Sequence, residues 1–356
     1  MEYAADLIGL MSGTSGDGLD IAYCRFTKKE NWSFEILHAE TVPFPEDLVS
    51  LLSKSHQLSG EHLALLDVDF GAWMGLQVRE FCQKRNLQPL AVCSHGHTVF
   101  HQPDKGLSLQ IGNGWSLHQY SGLKVVNDFR MLDLQLGGQG APLVPIGDRM
   151  LFSDMDFCLN LGGIANISME YAGKRLAFDT CPFNLLLNPL AEQLGATYDD
   201  KGAWAAEGRV DDELLNRLNQ VSFYQKTGAK SLGREDMDRD FFPLIDQVAL
   251  SPKDILATLV EHYAIQIASV IRKNASTPKP KVLITGGGAY HEYFIKRLDS
   301  KLDSNWEQVA ASNQLIEFKE ALVFAFLGYL RILGIDNVLS DVTGASRDSC
   351  SGTIYG

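Results

Sequence analysis

The sequence predicts an α/β protein built from two copies of one sheet-and-helix unit, with a ligand cleft between the copies. Three observations carry this. Residues 7–26, "LIGLMSGTSGDGLDIAYCRF", set two apolar strands around Ser12, Gly13, Thr14, Ser15, Gly16, Asp17 and Gly18. Residues 156–180, "DFCLNLGGIANISMEYAGKRLAFDT", repeat that plan as strand, Gly loop, strand, turn and strand. The length, 356 residues, suits two domains better than one core. Clefts between domains are preferred ligand sites.

Taken in order, the first strands are expected at Leu7–Met11 and Leu19–Phe26, with a third at Ser33–Glu40. Apolar residues recurring at three and four predict helices in "PEDLVSLLSKS" and "SGEHLALLDVDFGAWMGLQVREFCQKRN". "PLAVCSHGHTVFHQ" is strand-like, followed by a short helix at "SLHQYSG" and a strand at "KVVNDFR". "MLDLQLGGQGAPLVPIGD" is rich in Gly and Pro and reads as a functional loop or a domain junction. The second half opens with strands at Asp156–Leu161, Asn166–Tyr171 and Arg175–Asp179. A long helix, "DILATLVEHYAIQIASVIRKN", precedes a strand–Gly–helix unit, "KVLITGGGAYHEYFIKRLDSKL". The apolar helix "FKEALVFAFLGYLRIL" and a polar tail end the chain. The expected domains are 1–150, joined by the tail 335–356, and 151–334.

Composition narrows the partners. A net charge of −13 without a basic stripe argues against nucleic acid. Six cysteines without a CxxC pair read as reduced thiols of a cytoplasmic protein. The N-terminus has no basic region before its short apolar run, and no 18-residue apolar run is evident, so neither a signal peptide nor a membrane span is expected. A homodimer is among the assemblies open to the chain.

The glycine loops are read by elimination. A Walker A loop needs GxxxxGK[ST], but the nearest lysine, Lys28, lies beyond the second strand. A dinucleotide fingerprint needs GxGxxG opening a helix, whereas here GxxGxG opens a strand. No protein-kinase motif set follows. What remains is a hairpin loop offering N–H groups and hydroxyls to an anion, or an unliganded turn. Three such turns, Ser12–Gly18, Gly162–Gly163 and Gly286–Gly288, each follow an apolar strand, which favours phosphate binding. Asp17 and Asp20 are placed to hold Mg²⁺ through water.

Asp179 ends the strand "KRLAFDT", where a carboxylate can take a proton from a nucleophile. Asp17, Asp20, Asp128 and Asp133 compete on residue type alone. His95, His97 and His101 share one face if "SHGHTVFH" is a single strand, which raises zinc as one reading and packed or substrate-contacting rings as the other. Arg130 and Arg234 could offset anionic charge or simply be solvated. Glu320 opens an apolar helical run, where a carboxylate also favours the helix start.

The motifs "GLMSGTSGDGLD", "SHGHTVFHQP", "NDFRMLDLQLGGQGAPLVP", "LNLGGIANIS", "LAFDTCPFN" and "ITGGGAY" occur in one order across nearly the whole chain. In this the sequence resembles the anhydro-N-acetylmuramic acid kinases, of the hexokinase–Hsp70–actin superfamily. The resemblance implies two duplicated RNase H-like domains of the actin/hexokinase type with an interdomain ATP and sugar cleft. It implies ATP contacts at Ser12, Gly13, Thr14, Ser15, Asp17, Gly18 and Asp20, and a second phosphate loop from Leu161 to Asn166, including Gly162 and Gly163. Gly286, Gly287 and Gly288 would lie beside adenosine, Asp179 would be the catalytic base, and His97, Arg130 and Glu320 would meet the sugar. The implied reaction is ring opening of 1,6-anhydro-N-acetylmuramic acid by water with transfer of the γ-phosphoryl group of ATP to O6, in peptidoglycan recycling. The family pattern "FDTGPGN" stands here as "FDTCPFN", which puts Cys181 and Phe183 beside Asp179; Gly16 stands where a larger apolar residue is usual, and His97 where Gln is usual. Two alternatives stay open: a same-fold kinase for another sugar or small acid, and a non-catalytic ATP-binding regulator.

Overall fold

The computed structural model describes residues 3–12, 18–226, 228 and 230–356, which divide into two compact units. The first unit holds residues 1–151 and 318–356, and the second holds 152–317.

In the first unit, β1 (Tyr3–Ser12), β2 (Gly18–Lys28) and β3 (Trp32–Pro43) pair antiparallel in sequence order. On the other side of β1, the short strands β4 (Val92–Ser94) and, two places along, β7 (Val125–Asn127) run parallel to it; β5 (His97–Gln102) and β6 (Leu107–Ile111) form a separate ribbon. Leu7–Leu10 are buried without alternation because β1 is covered on both faces. Ile8 and Leu10 join Phe70, Met74 and Val78 of the helix Gly60–Arg85 in one core cluster. From the opposite face the helix Asn313–Leu333 comes so close that a Cβ on Gly9 would collide with the Ala321 carbonyl.

The second unit repeats this order. β8 (Phe157–Leu161), β9 (Ile164–Tyr171) and β10 (Lys174–Pro182) pair antiparallel, and β11 (Lys281–Thr285) and β12 (Glu307–Val309) continue parallel on the far side of β8. Each sheet thus begins with three antiparallel strands and extends in parallel from the other edge of its first strand. This is the α/β fold expected from the sequence, with one strand order occurring in both units. The helix Pro252–Asn274 is long and largely apolar, with a mean hydropathy of 1.3 over an 18-residue stretch. Its burial explains this, since Leu256, Leu259, Tyr263 and Ile267 pack with Phe157, Leu159 and Ile167 in the core of the second unit.

The domain limits differ from expectation at the C-terminal end. The helix Asn313–Leu333 departs from helical geometry at Phe318 (φ −110°, ψ 15°), and the units divide there rather than at 334. Aromatic packing explains the difference: Phe326 meets Phe26 and Trp32 at 5.3 and 5.1 Å, and Phe324 meets Phe129 at 5.7 Å, all within the first unit. The polar tail is structured too. It forms a short helix, Ser340–Thr343, and a last strand, β13 (Thr353–Tyr355), antiparallel to β7.

Candidate active site

In the second unit, register aligns the polar residues. Asn160 of β8, Asn166 of β9 and Asp179 of β10 stand directly opposite one another, so their side chains share one face of the sheet. Past Asp179 the ladder slips by one residue, a bulge of the kind that re-aims a side chain. The Asp179 backbone N–H donates to the Lys230 carbonyl at 2.9 Å, and the Leu232 N–H donates to Asp179 Oδ2 at 2.8 Å. Burial pushes the carboxyl up to about 6, and the Leu232 bond only partly opposes it. The group is therefore ionised near neutrality yet basic enough to accept a proton.

The glycine turns of this unit are of two kinds. Gly286 has φ +80°, and a Cβ there would sit 2.8 Å from Asn160 Oδ1 and 2.9 Å from the Leu161 carbonyl. A Cβ on Gly288 would lie 2.5 Å from the Phe183 ring and 2.6 Å from Leu161 Cβ. Packing alone dictates glycine at both. At Gly162 and Gly287 the nearest atoms are 3.6 and 3.9 Å away, so the protein itself leaves room for a side chain. Gly163 is intermediate, 3.1 Å from Leu185. The carbonyls of Gly162 and Gly163 accept from the N–H groups of Asn184 and Phe183, which ties this turn to the start of the helix Asn184–Gln193.

Phe183 does not crowd Asp179. Its ring is fully buried, packed on Tyr263 at 5.2 Å and Phe294 at 5.0 Å in the unit's core. Cys181 is equally buried, and desolvation pushes its thiol far above the ordinary range.

The first unit gathers a second set. Gly13, Thr14, Ser15, Gly16 and Asp17 lie outside the described residues. Ser12 is buried at the end of β1, with its hydroxyl 3.2 Å from His97 Nδ1. Gly18 is dictated by the neighbouring strand, since its Cβ would stand 2.5 Å from the Val42 carbonyl. Asp20 accepts the Thr41 hydroxyl at 2.6 Å. Glu320 follows the break at Phe318; burial raises its carboxyl pKa, Lys319 and Arg130 lower it, and Asp20 raises it. Lys319 itself is held in a buried pair with Asp148 at 2.7 Å.

The histidines are not one strand face. β4 ends at Ser94 and β5 begins at His97, with Gly96 turning the chain at φ +73°. His95 sits at that turn and meets Arg130, whereas His97 meets Ser12 and His101 meets Ser108. Among the described residues no three metal-binding side chains cluster, so the zinc reading has no support. Asp133 is no free base either, because its fully buried carboxylate accepts the Thr343 hydroxyl and the Gly140 N–H, each at 2.7 Å. Arg234 is exposed.

Sequence reasoning did not give Leu232, Lys230 or Thr343 a part in either set, and it offered Asp133 only as a competing base. Asp133 and Thr343 are 210 residues apart, and no local pattern announces such a pair.

A buried carboxylate that is ionised near neutrality and can still accept a proton suits general-base chemistry. Comparison with known proteins supplies the particular family. The chain belongs to the anhydro-N-acetylmuramic acid kinase family, whose model matches residues 5–356. It is 35% identical over 362 residues to the anhydro-N-acetylmuramic acid kinase of Pseudomonas syringae pv. syringae, covering 98% of both chains. The Aliivibrio fischeri enzyme of that name is 34% identical over 364 residues, again covering 98% of both. The Haemophilus influenzae one is 33% identical over 376 residues, covering 98% of this chain and 97% of its own.

Proposed function

We propose that this protein uses ATP to convert 1,6-anhydro-N-acetylmuramic acid to N-acetylmuramic acid 6-phosphate and ADP, in the recycling of peptidoglycan sugar in the cytoplasm. The observation that carries the reading is Asp179, held by backbone at the bulge within β10, which runs on to Pro182 rather than ending at Asp179, with its pKa raised to about 6. Asp179 takes a proton from water while the water oxygen bonds to the anomeric carbon. The C1–O6 bond breaks, and O6 attacks the γ-phosphorus as ADP leaves. Phosphoryl transfer asks mainly for positioning and charge neutralisation. The open faces of Gly162 and Gly287 suit close approach of phosphate and nucleoside, and Asn166 lies across the ladder from the base. Ser12, Asp20 and residues 13–18 form the other phosphate loop in this reading, with His97, Arg130 and Glu320 at the sugar. Mg²⁺ fits as a water-bridged ion near Asp20, whose single carboxylate suits an ion that keeps several waters, with Asp17 as a second candidate; bound there, it would neutralise phosphate charge.

The test is mass spectrometry of the anhydro sugar incubated with protein, ATP and Mg²⁺ in ¹⁸O-water. The expected product is heavier by one phosphoryl group and one water, with the label on the sugar and not on the phosphate. Asp179→Asn should slow its formation about 10²- to 10⁴-fold, the usual effect of losing a general base. A variant within about tenfold of the parent would remove Asp179 from that role. The parent's kcat/KM should rise with pH through about 6, as the carboxyl ionises.

A further inference from the structure

We infer that His95 is a positioning residue for Arg130: it fixes the guanidinium without neutralising it, so that the remaining N–H groups meet an anionic group of the substrates. The inference rests on the function proposed above for the identity of those substrates, and on the geometry of the first unit for the rest.

His95 is anchored on three sides. Its backbone N–H donates to the Leu10 carbonyl at 3.1 Å, and its ring packs on Phe324 with centroids 4.7 Å apart. Its Nδ1 lies 2.9 Å from the Gly96 carbonyl, which can only accept, so Nδ1 carries the proton and Nε2 is left as an acceptor. Into that acceptor Arg130 donates Nη2–H at 2.8 Å and Nε–H at 3.3 Å. Arg130 Nη1 donates to the Gly140 carbonyl at 2.7 Å, and Gly140 is in turn held by the buried Asp133. These bonds use three of the five N–H groups that a guanidinium carries, which leaves two for a ligand.

The choice of partner matters. A carboxylate at position 95 would orient Arg130 equally well but would cancel its charge. A neutral imidazole and a carbonyl orient it and leave the charge in place. Burial and the nearby Arg130 charge keep the His95 ring well below its ordinary basicity, so it stays an acceptor across the neutral range. Burial lowers Arg130, the nearby Glu320 carboxyl partly opposes that, and the result of about 10 leaves it a cation. The anionic group is either a carboxylate on the sugar or the phosphate being transferred, and kinetics separates the two.

The experiment uses the full chain with His95→Phe, His95→Gln and His95→Glu. The phenyl ring keeps the packing on Phe324 but accepts nothing, and the amide keeps a neutral acceptor. The first readout needs no activity: solvent exchange of the Arg130 Nε–H by ¹⁵N NMR, assigned by its loss in Arg130→Met. Exchange should be slow in the parent and in His95→Gln, and fast in His95→Phe. The second is the kinetic split. His95→Phe should raise KM for the anhydro sugar about 10- to 100-fold, the equivalent of one lost hydrogen bond to a charged group, with kcat within about threefold. His95→Gln should restore it. The same rise in KM for ATP instead would support the positioning role with phosphate as the anion. Should the phenyl variant not fold, His95→Glu decides: slow exchange with a raised KM supports the inference, and a parent-like KM overturns it. Unchanged exchange in His95→Phe, or fast exchange in the parent, also overturns it. A parent that makes no phosphorylated sugar would sink the proposed function, while the exchange readout would still decide the role of His95.

Discussion

At Asp179, burial and one backbone hydrogen bond pull in opposite directions, and burial wins. This has a consequence for stability as well as for chemistry. A carboxyl whose folded pKa lies above its ordinary 3.8 favours folding fully below that value, and the contribution is lost as pH rises through about 6. Asp179→Asn should therefore stabilise the protein at pH 8 by roughly 2–3 kcal/mol, the equivalent of the change from 3.8 to about 6. The gain should shrink towards nothing near pH 4. Urea unfolding of both proteins at the two pH values tests this, and an equal gain at both would contradict it. At the same scale, Phe183 shows what a sequence string hides. Beside the base in sequence, it points into the core, because bonds from its own N–H and from those of Asn184 and Leu185 to the Gly162 and Gly163 carbonyls set the chain's direction there.

The glycine turn after β11 shows how one element serves two masters. Gly286 and Gly288 are glycine for the sake of packing, whereas Gly287 has space around it. Gly286→Ala combines a left-handed φ with contacts under 3 Å, and should cost roughly 2–4 kcal/mol. Gly287→Ala should change stability by less than about 1 kcal/mol and yet raise KM for ATP about tenfold or more, if nucleoside passes over that face. Thermal unfolding together with KM for ATP separates the two. Equal stability losses would mean that both glycines are structural. The sequence shows β1 and β8 because each is a buried apolar run followed directly by glycine, Gly13 or Gly162. Alternation alone presents the histidine segment as one strand, and the turn at Gly96 splits it.

On the scale of the molecule, the chain leaves the first unit at Leu151 and returns at Phe318. The returning segment is tied in by buried polar groups. Asn337 donates to the Leu327 and Ser351 carbonyls at 2.9 Å each and accepts the Ser351 N–H at 2.7 Å. Asn337→Ala leaves all three partners without it and should cost roughly 2–4 kcal/mol. A fall in unfolding midpoint, with Asp179's pH profile unchanged, is the expected result. A midpoint equal to the parent's would show the tail to be dispensable for the first unit.

The sequence by itself determined the repeated strand plan, the glycine turns and the placement of Asp179 on a strand, together with a family resemblance that comparison then showed to be membership. These are legible because periodicity and turn chemistry act between near neighbours. Tertiary structure alone decided that 318–333 belongs with the first unit, that Asp133 anchors Thr343, that His95 holds Arg130 and that Leu232 holds Asp179. Each of these joins residues brought together by packing across tens to hundreds of positions. A hydrogen bond of that span follows from where whole elements dock, and nothing in the local spacing records it.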